Sequence, residues 1–360
     1  MFNFGQSQPP TLGIDISTSC IKVLQLSPCE QGYCIDHIGS CPLPEGCVLE
    51  RVITDIETVA NCIRLAVQQS QSKAKHCIMA VPSSNVMSKV ITMPADLSDE
   101  ELEAQINVEA DQHIPFPLNE VNIDYNVLKN NHNNDHQVDV LLVCSKTPNI
   151  TSKVMVAELA GLSPIIVDVE SYLTERSFPY LNASLSQDQN SASNNDNHTV
   201  AIFDIGSHIT TLNVIDKQQL IYTREHDFGG KQLSEKIMQA YQYDFQTAEQ
   251  KKLSNDLPED YQVNTLEPFI QTVAQQCSRF LQFFYSVKPS TPIQHIILCG
   301  GGSNIAGLDE ILQQNVDIPT STINPLAHLS YSSKVDPTLV ARESSSFLVA
   351  LGLALRKYSH

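Results

Sequence analysis

The sequence predicts a duplicated α/β fold whose two halves face each other across a cleft, with a small subdomain inserted into the first half. Three observations carry this. Strand-like and helix-like stretches alternate along the 360 residues, the pattern of an α/β architecture. Two chemically matched strand–turn–strand hairpins recur about 190 positions apart, Gly13-Ile14-Asp15-Ile16-Ser17-Thr18 and Ile202-Phe203-Asp204-Ile205-Gly206-Ser207. Between them, 83–150 has strands and a helix of its own and none of the hairpin chemistry.

Composition bounds the rest. At roughly 100–200 residues per domain the length suits two domains or one duplicated fold. A hydrophobic fraction of 42% lets each half bury a core. No run approaches the roughly 18 apolar residues that span a bilayer, and residues 1–10 lack the features of a secretory signal, so a cytoplasmic location is expected. The net charge of −18 comes without any block of Lys or Arg. That argues against nucleic acid as a main ligand and against unaided adsorption to an anionic membrane. The ten cysteines form no C-x-x-C pair and have no His at zinc spacing. Several sit in apolar runs, such as Cys144 and Cys299, and the cysteines as a set read as reduced, small core hydrophobes.

In order, 11–27 reads as two strands joined by a tight polar turn. Thr54 and Glu57 form a T-x-x-E capping box before a helix over 55–69, where Ile56, Val59, Ala60, Ile63, Ala66 and Val67 recur at helical spacing. Residues 77–82 are a buried strand. The segment 88–94 leads to a second capping box, Ser98 with Glu101, and a helix to about His113, stopped by Ile114-Pro115-Phe116-Pro117. Strands at 121–128 and 138–145 flank a hairpin tip at 130–136, and helices are expected at 149–160 and 169–178. Residues 182–198 read as a flexible linker. The second hairpin at 199–216 follows, then helices at 230–243, 246–253 and 265–287, a strand at 294–299, a glycine turn at 300–302, a helix to about 315 and an apolar helix at 345–357. The halves are therefore 11–82 with 151–181, and 199–360.

The hairpins suit phosphate chemistry. An Asp ending a buried strand is poorly solvated and tolerated where a cation meets it, here Mg²⁺ through water at Asp15 and Asp204. Small residues after each Asp let backbone N–H groups approach phosphate oxygens. The hydroxyls of Ser17, Thr18 and Ser19 add donors, and Lys22 returns from the second strand. The second hairpin offers Gly206, Ser207, Thr210 and Thr211. Gly300, Gly301, Gly302 and Ser303, after an apolar strand, permit close approach of a flat ligand such as adenosine. Each signal has an ordinary alternative, a plain hairpin or a plain strand–helix turn; the three together in this order are far more specific.

These residues resemble the nucleotide motifs of the actin and hexokinase superfamily. Asp15 with Lys22 is similar to its first phosphate motif, Asp204 with Gly206 to its second, and Gly300 to Gly302 with Gly307 to its adenosine motif. The resemblance implies an actin-like (duplicated RNase H-like) ATPase fold binding ATP with Mg²⁺. It assigns Glu170 as the residue beside the attacking water; otherwise Glu170 is an exposed helix-start carboxylate favoured by the macrodipole. One departure is Ser17, where the superfamily usually has Gly, and its Cβ crowds the phosphate path. At most a slow ATPase is expected.

The stretch 93–128 (MPADLSDEELEAQINVEADQHIPFPLNEVNIDYNVL) resembles the signature segment of the PilM family of type IV pilus assembly proteins. Similarities continue in GLSPIIVDVESYL (161–173), DFGGKQLSEKI (227–237, with Gly229 and Gly230) and from Ala350 to Arg356. The likeness runs from about 11 to 357, and implies a small inserted subdomain shared with the division protein FtsA. It further implies an adaptor that holds the N-terminal peptide of a PilN-like inner-membrane protein beside the insertion. Such an adaptor would sit on the inner face of the inner membrane near the pilus motor ATPases, without inserting into it. Ile114 and Phe116 are candidate groove walls; the alternative makes the Ile-Pro-Phe-Pro run a helix stop with Phe116 in the core. Three other readings stand beside this one: an FtsA-like division protein, a small-molecule kinase of the same superfamily, and a scaffold without nucleotide.

Overall fold

The computed structural model describes residues 9–30, 32–128, 136–188 and 198–358. Two sheets share one strand plan. In the first, the antiparallel meander Thr11–Ile16, Cys20–Cys29 and Gly32–Pro42 is extended beyond Thr11–Ile16 by the parallel strands His76–Val81 and Ser163–Val169. In the second, the meander Thr199–Ile205, Thr210–Asp216 and Gln219–His226 is extended beyond Thr199–Ile205 by His295–Cys299 and Thr320–Thr322. The repeated hairpins are thus the central strands of two equivalent sheets. Central strands of such sheets are covered on both faces, and every residue of Thr11–Ile16 is buried.

The inserted subdomain leaves the first half after His76–Val81. Its sheet runs Val86–Pro94, Gln137–Lys146, Val121–Val127, and the helix Asp99–His113 packs on it through Leu102, Ile106 and Ala110. Ser98 caps that helix in a complete capping box with Glu101. The first half resumes in Thr147–Leu159, a helix that straddles the boundary expected at 150. The hairpin-tip residues 130–135 lie outside the described residues.

The structure corrects four sequence expectations. Asp55, not Thr54, caps the first long helix, accepting from the Thr58 N–H at 3.0 Å, while the Thr54 hydroxyl donates to the Gly46 carbonyl. The linker expected over 182–198 is helical through Asp188, because Leu181 and Leu185 pack against Val200 and Ile202 and the Ser184 hydroxyl meets His328; residues 189–197 lie outside the described residues. Cys29 is exposed rather than part of a core. Finally, the end of the chain, grouped by sequence with the second half, covers the first sheet: Leu326, Leu339, Phe347, Leu351 and Leu355 pack on Leu24, Leu26, Ile35 and Ile38. The sequence reading also lacks the strands Gly32–Pro42, Ser163–Val169 and Gln219–His226.

Two helices cross between the halves. Glu170–Asp188 leaves the first sheet and packs on the second through Phe178 and Leu181, while Leu348–Arg356 returns to the first. The two meet where Gly352 lies against Leu173; a Cβ on Gly352 would strike the Leu173 carbonyl oxygen and approach its Cβ to 2.6 Å. Gly352→Ala, normally a gain of about 1 kcal/mol inside a helix, should instead lower the melting midpoint, with an overpacking cost of about 1–3 kcal/mol. Gly301→Ala, with open space at its Cβ, is the thermal-melt control and should stay within about 0.5 kcal/mol of the parent.

Candidate functional site

The cleft floor is built from the turns that end the two central strands. The Ser17 N–H donates to the Cys20 carbonyl at 3.1 Å, and the Gly206 N–H donates to the Ile209 carbonyl at 2.9 Å, the same bond in each copy. The tips touch across the cleft, with Thr18 Oγ1 3.0 Å from His208 Nδ1. Ser17 is not a free donor: its hydroxyl donates to the Cys20 carbonyl at 2.8 Å and accepts the Cys20 N–H at 3.2 Å.

Asp15 and Lys22 are directly opposed in the first hairpin, and Lys22 Nζ meets Asp15 Oδ2 at 3.0 Å, both side chains buried. Burial pulls the Lys22 pKa down, but the charge and hydrogen bond of Asp15, with Cys20 and Asp204 adding, together outweigh this and hold it above the usual lysine range. Asp204 occupies the matching place in the second copy and has no hydrogen-bond or ion-pair partner among the described residues. Burial pushes its pKa up to about 6, with Lys22 and Arg51 opposing the rise and Asp15 and Glu170 adding to it.

The glycine segments converge here. Gly300 has φ +87° and faces Asp204 so closely that a Cβ would collide with the carboxylate and come within 2.5 Å of the Ile205 carbonyl oxygen. Gly229 packs on the Ser207 carbonyl, and the N–H groups of Gly230 and Lys231 donate to the carbonyls of Gly206 and Ser207 at 2.9 and 2.8 Å. Gly302 lies within 3.8 Å of where a Gly230 side chain would start. Gly301 and Gly307 have open space where a Cβ would stand. Ser303 is buried, and its hydroxyl donates to the Gly300 carbonyl at 2.8 Å, so it closes the turn rather than offering a ligand donor.

Glu170 is not an exposed helix-start residue. Arg51 reaches it at 2.9 Å and also meets Glu225, on the second sheet, at 3.1 Å. Burial pushes the Glu170 pKa up, with Arg51 opposing the rise. Arg51 sits in the two-residue turn between Val48–Leu49 and Val52–Ile53, where Glu50 and Arg51 have φ of +47° and +67°. Such turns favour Asn-Gly, and left-handed conformations cost other residues about 1–2 kcal/mol each. The strain falls on the residue aimed between two carboxylates.

Sequence reasoning missed Arg51, Glu225, His208 and Lys153. Lys153, on Thr147–Leu159, is 5% exposed with no hydrogen-bond or ion-pair partner among the described residues, and burial pulls its pKa down against the attraction of Glu170 and Asp15. None of the four lies in a motif; only the positive-φ turn at Arg51 is unusual, and it is invisible without coordinates. The two candidate groove walls are not brought together with a groove. Ile114 is buried in the insertion's own core with Ile106 and Leu142. Phe116 is exposed beneath Lys146, whose Nζ is 4.6 Å from the ring centroid.

The residues fit a nucleotide with Mg²⁺. An unpaired carboxylate at Asp204 faces glycine backbone, a buried lysine stands beside it, and no group of three or more metal-ligating side chains occurs among the described residues. Mg²⁺ typically keeps waters and phosphate oxygens in its shell and needs only one or two carboxylates.

Two RNase H-like halves around a cleft of this make-up define an actin-like ATPase fold. The description "Type IV pilus assembly protein PilM" matches residues 13–358, and the chain belongs to that family. Among solved structures it is similar to a chain of a "PilM-PilN type IV pilus biogenesis complex", at 24% identity and TM-score 0.77 over 97% of this chain and 99% of that one. It is also similar to the ethanolamine utilization protein EutJ from Carboxydothermus hydrogenoformans, at 15% identity and TM-score 0.55, over 97% and 90%. The diol dehydratase-reactivating factor in nucleotide-free form aligns at 10% identity and TM-score 0.51, over 98% and 100%. These likenesses establish the fold.

Two stability predictions follow from the cleft charges. The folded pKa of Asp204, about 6, lies above the unfolded carboxylate value of about 4. The native state therefore holds the extra proton between those values, and its stability falls as pH rises through that window. Asp204→Asn lacks this slope, so its melting midpoint should match the parent near pH 4 and exceed it above pH 6, as read from melts across pH. Lys153→Met removes a buried unpaired ammonium and should raise the midpoint at pH 7; a fall would mean that Lys153 is paired.

Proposed function

We propose that the chain is a nucleotide-binding adaptor of the type IV pilus inner-membrane assembly platform. In this reading ATP with Mg²⁺ occupies the cleft, and the N-terminal peptide of a PilN-like inner-membrane protein docks beside the insertion. The adaptor thereby stays on the inner face of the inner membrane and is linked to the pilus motor ATPases. Among the described residues no single helix is long and apolar enough to cross a membrane, so recruitment falls to the partner.

The observation that carries the reading is a groove of about 260 Å³ between the insertion and the first half, lined by Val81, Val86, Ile123, Val143, Ile150 and Val167 among others. Two sheet edges border it, Val121–Val127 of the insertion and Ser163–Val169 of the first sheet. Unpaired strand edges with apolar side-chain pockets suit an extended peptide, which gains main-chain hydrogen bonds from the edge and specificity from the pockets. Membership of the PilM family supports a pilus role, and the similarity to a chain solved with PilN supports this partner class.

In the cleft, Asp204 would hold Mg²⁺ through water, with Asp15 beside it, and Lys22 would face the phosphates. Backbone N–H groups around Gly206 and Gly300 to Gly302 would line the ligand. Bound Mg²⁺ would neutralise phosphate charge. Glu170 is the candidate for orienting water, but its carboxylate is engaged by Arg51, so hydrolysis should be far below the roughly 1–1000 per second of ordinary enzymes.

Calorimetric titration should show Mg²⁺-dependent ATP binding, weakened at least about ten-fold, or about 1.4 kcal/mol, by Asp204→Ala. No binding to the parent would favour a nucleotide-free scaffold. A labelled PilN-type N-terminal peptide should bind the full chain and be lost on Ile123→Asp or Val167→Asp. Phe116→Ala should leave its affinity unchanged, since Phe116 does not line the groove. Membrane fractionation supplies the cellular check: a chain that stays on membranes without the PilN-like protein would end the recruitment model.

A further inference from the structure

Five of the seven arginines have polar partners. Arg51 holds Glu170 and Glu225, Arg176 and Arg356 hold Asp168, Arg342 holds Glu343, and Arg64 reaches the Leu159 carbonyl. The other two, Arg224 and Arg279, have no hydrogen-bond or ion-pair partner among the described residues, and both line one cavity of about 670 Å³. The cavity lies between Gln219–His226, the outermost strand of the second sheet, and the helix Glu267–Val287. His226, Phe280 and Phe283 complete its charged and aromatic wall, and no carboxylate lines it. Arg224 lies flat against Phe283, its guanidinium carbon 3.7 Å from the ring centroid, and Phe283 is 48% exposed.

We infer that this cavity is a docking site for an acidic, aromatic-bearing extended segment of another protein. Charge complementarity is the first argument. The chain carries 40 acidic against 22 basic residues, yet leaves two guanidiniums lining one cavity without a counter-charge among the described residues. A guanidinium fork fits carboxylates bidentately, and one already stacked on an aromatic ring loses less freedom on binding. Size is the second. The volume far exceeds one inorganic anion and suits several side chains. The net charge of −18 is the third. It opposes long polyanions such as RNA and a second equally charged copy of the chain, while a short segment with few carboxylates pays little of that repulsion.

The site is separate from the cleft and the insertion groove, sharing no residue with either. It does share a strand with the cleft. Along Gln219–His226 the alternation of the pleat sends Arg224 and His226 to the cavity face and Glu225 to Arg51.

The probe is a fluorescein-labelled peptide of about eight residues alternating Glu and Phe, an extended length of about 26 Å, titrated into the full chain by anisotropy. A twin peptide with Lys for Glu is the charge control. The acidic probe should bind saturably, weaken with added salt, and lose at least about ten-fold in affinity on Arg224→Ala with Arg279→Ala, while Arg224→Lys with Arg279→Lys retains part of it. Melting midpoints of both double variants equal to the parent's would place the loss in binding rather than folding. Three results would overturn the inference: no saturable binding of the acidic probe, equal binding of the Lys twin, or affinity unchanged in the alanine variant. So would a single-stranded RNA oligonucleotide bound with the same arginine dependence, or a dimer in sedimentation that the alanine variant dissolves.

Discussion

A carboxylate buried at the end of a strand costs several kcal/mol unless a cation meets it, and the cleft treats its two equivalent carboxylates differently. Asp15 is answered within its own hairpin by Lys22, at 3.0 Å. Asp204 is not answered, and burial raises its pKa to about 6. The asymmetry leaves an open anionic position at Asp204, while Arg51 serves Glu170 and Glu225 and Lys153 stands without a direct partner among the described residues. A divalent cation beside phosphates would satisfy that position, so the same feature that costs stability would favour such a ligand.

The Glu170–Arg51–Glu225 cluster also ties the parts of the molecule together. Arg51 and Glu170 belong to the first half and Glu225 to the second. Ser84, in the turn that opens the insertion, donates to Glu225 at 2.9 Å, and the adjacent Ser83 hydroxyl accepts the Ser171 N–H at 3.0 Å. The start of the insertion is therefore bonded to the residues flanking the cleft carboxylate. Substituting one member of such a network leaves a buried charge unpaired, which costs more than the pair contributes.

Two exchanged helices bind the halves together by covering both sheets. Each sheet has an apolar face that its own segment does not cover, and Glu170–Asp188 and Leu348–Arg356 each serve the other half. Their close contact at Gly352 and Leu173 makes the crossing a shared structural point. The insertion stands outside this arrangement with a core of its own, including Ile91, Met93, Ile106 and Ile114, and the groove forms where its edge strand meets that of the first sheet.

Residues 11–27 and 199–216, the capping box at Ser98, and the apolar periodicity of 265–287 were legible in the sequence because their signals are local. Alternation, caps and helical spacing depend on neighbours a few positions apart, and so does the repeat that betrays two equivalent halves. The strand-end aspartates and the glycines at 300–302 were legible for the same reason. Pairings between distant residues were not. Whether Asp204 has a partner and where Arg51 points depend on chain segments more than about 100 residues away, and whether Ile114 faces a groove or a core depends on strands about 20 to 30 residues away. Ser17 and Ser303 look like ligand donors in sequence, but their hydroxyls are spent inside their own turns. The last helix reads as part of the second half because it follows it; it covers the first sheet because that sheet has the apolar face still to be buried. The sequence determined which segments form strands and helices and which chemistry sits at their ends. Tertiary structure decided which of those groups remain free to bind, because burial and pairing are properties of the packed molecule.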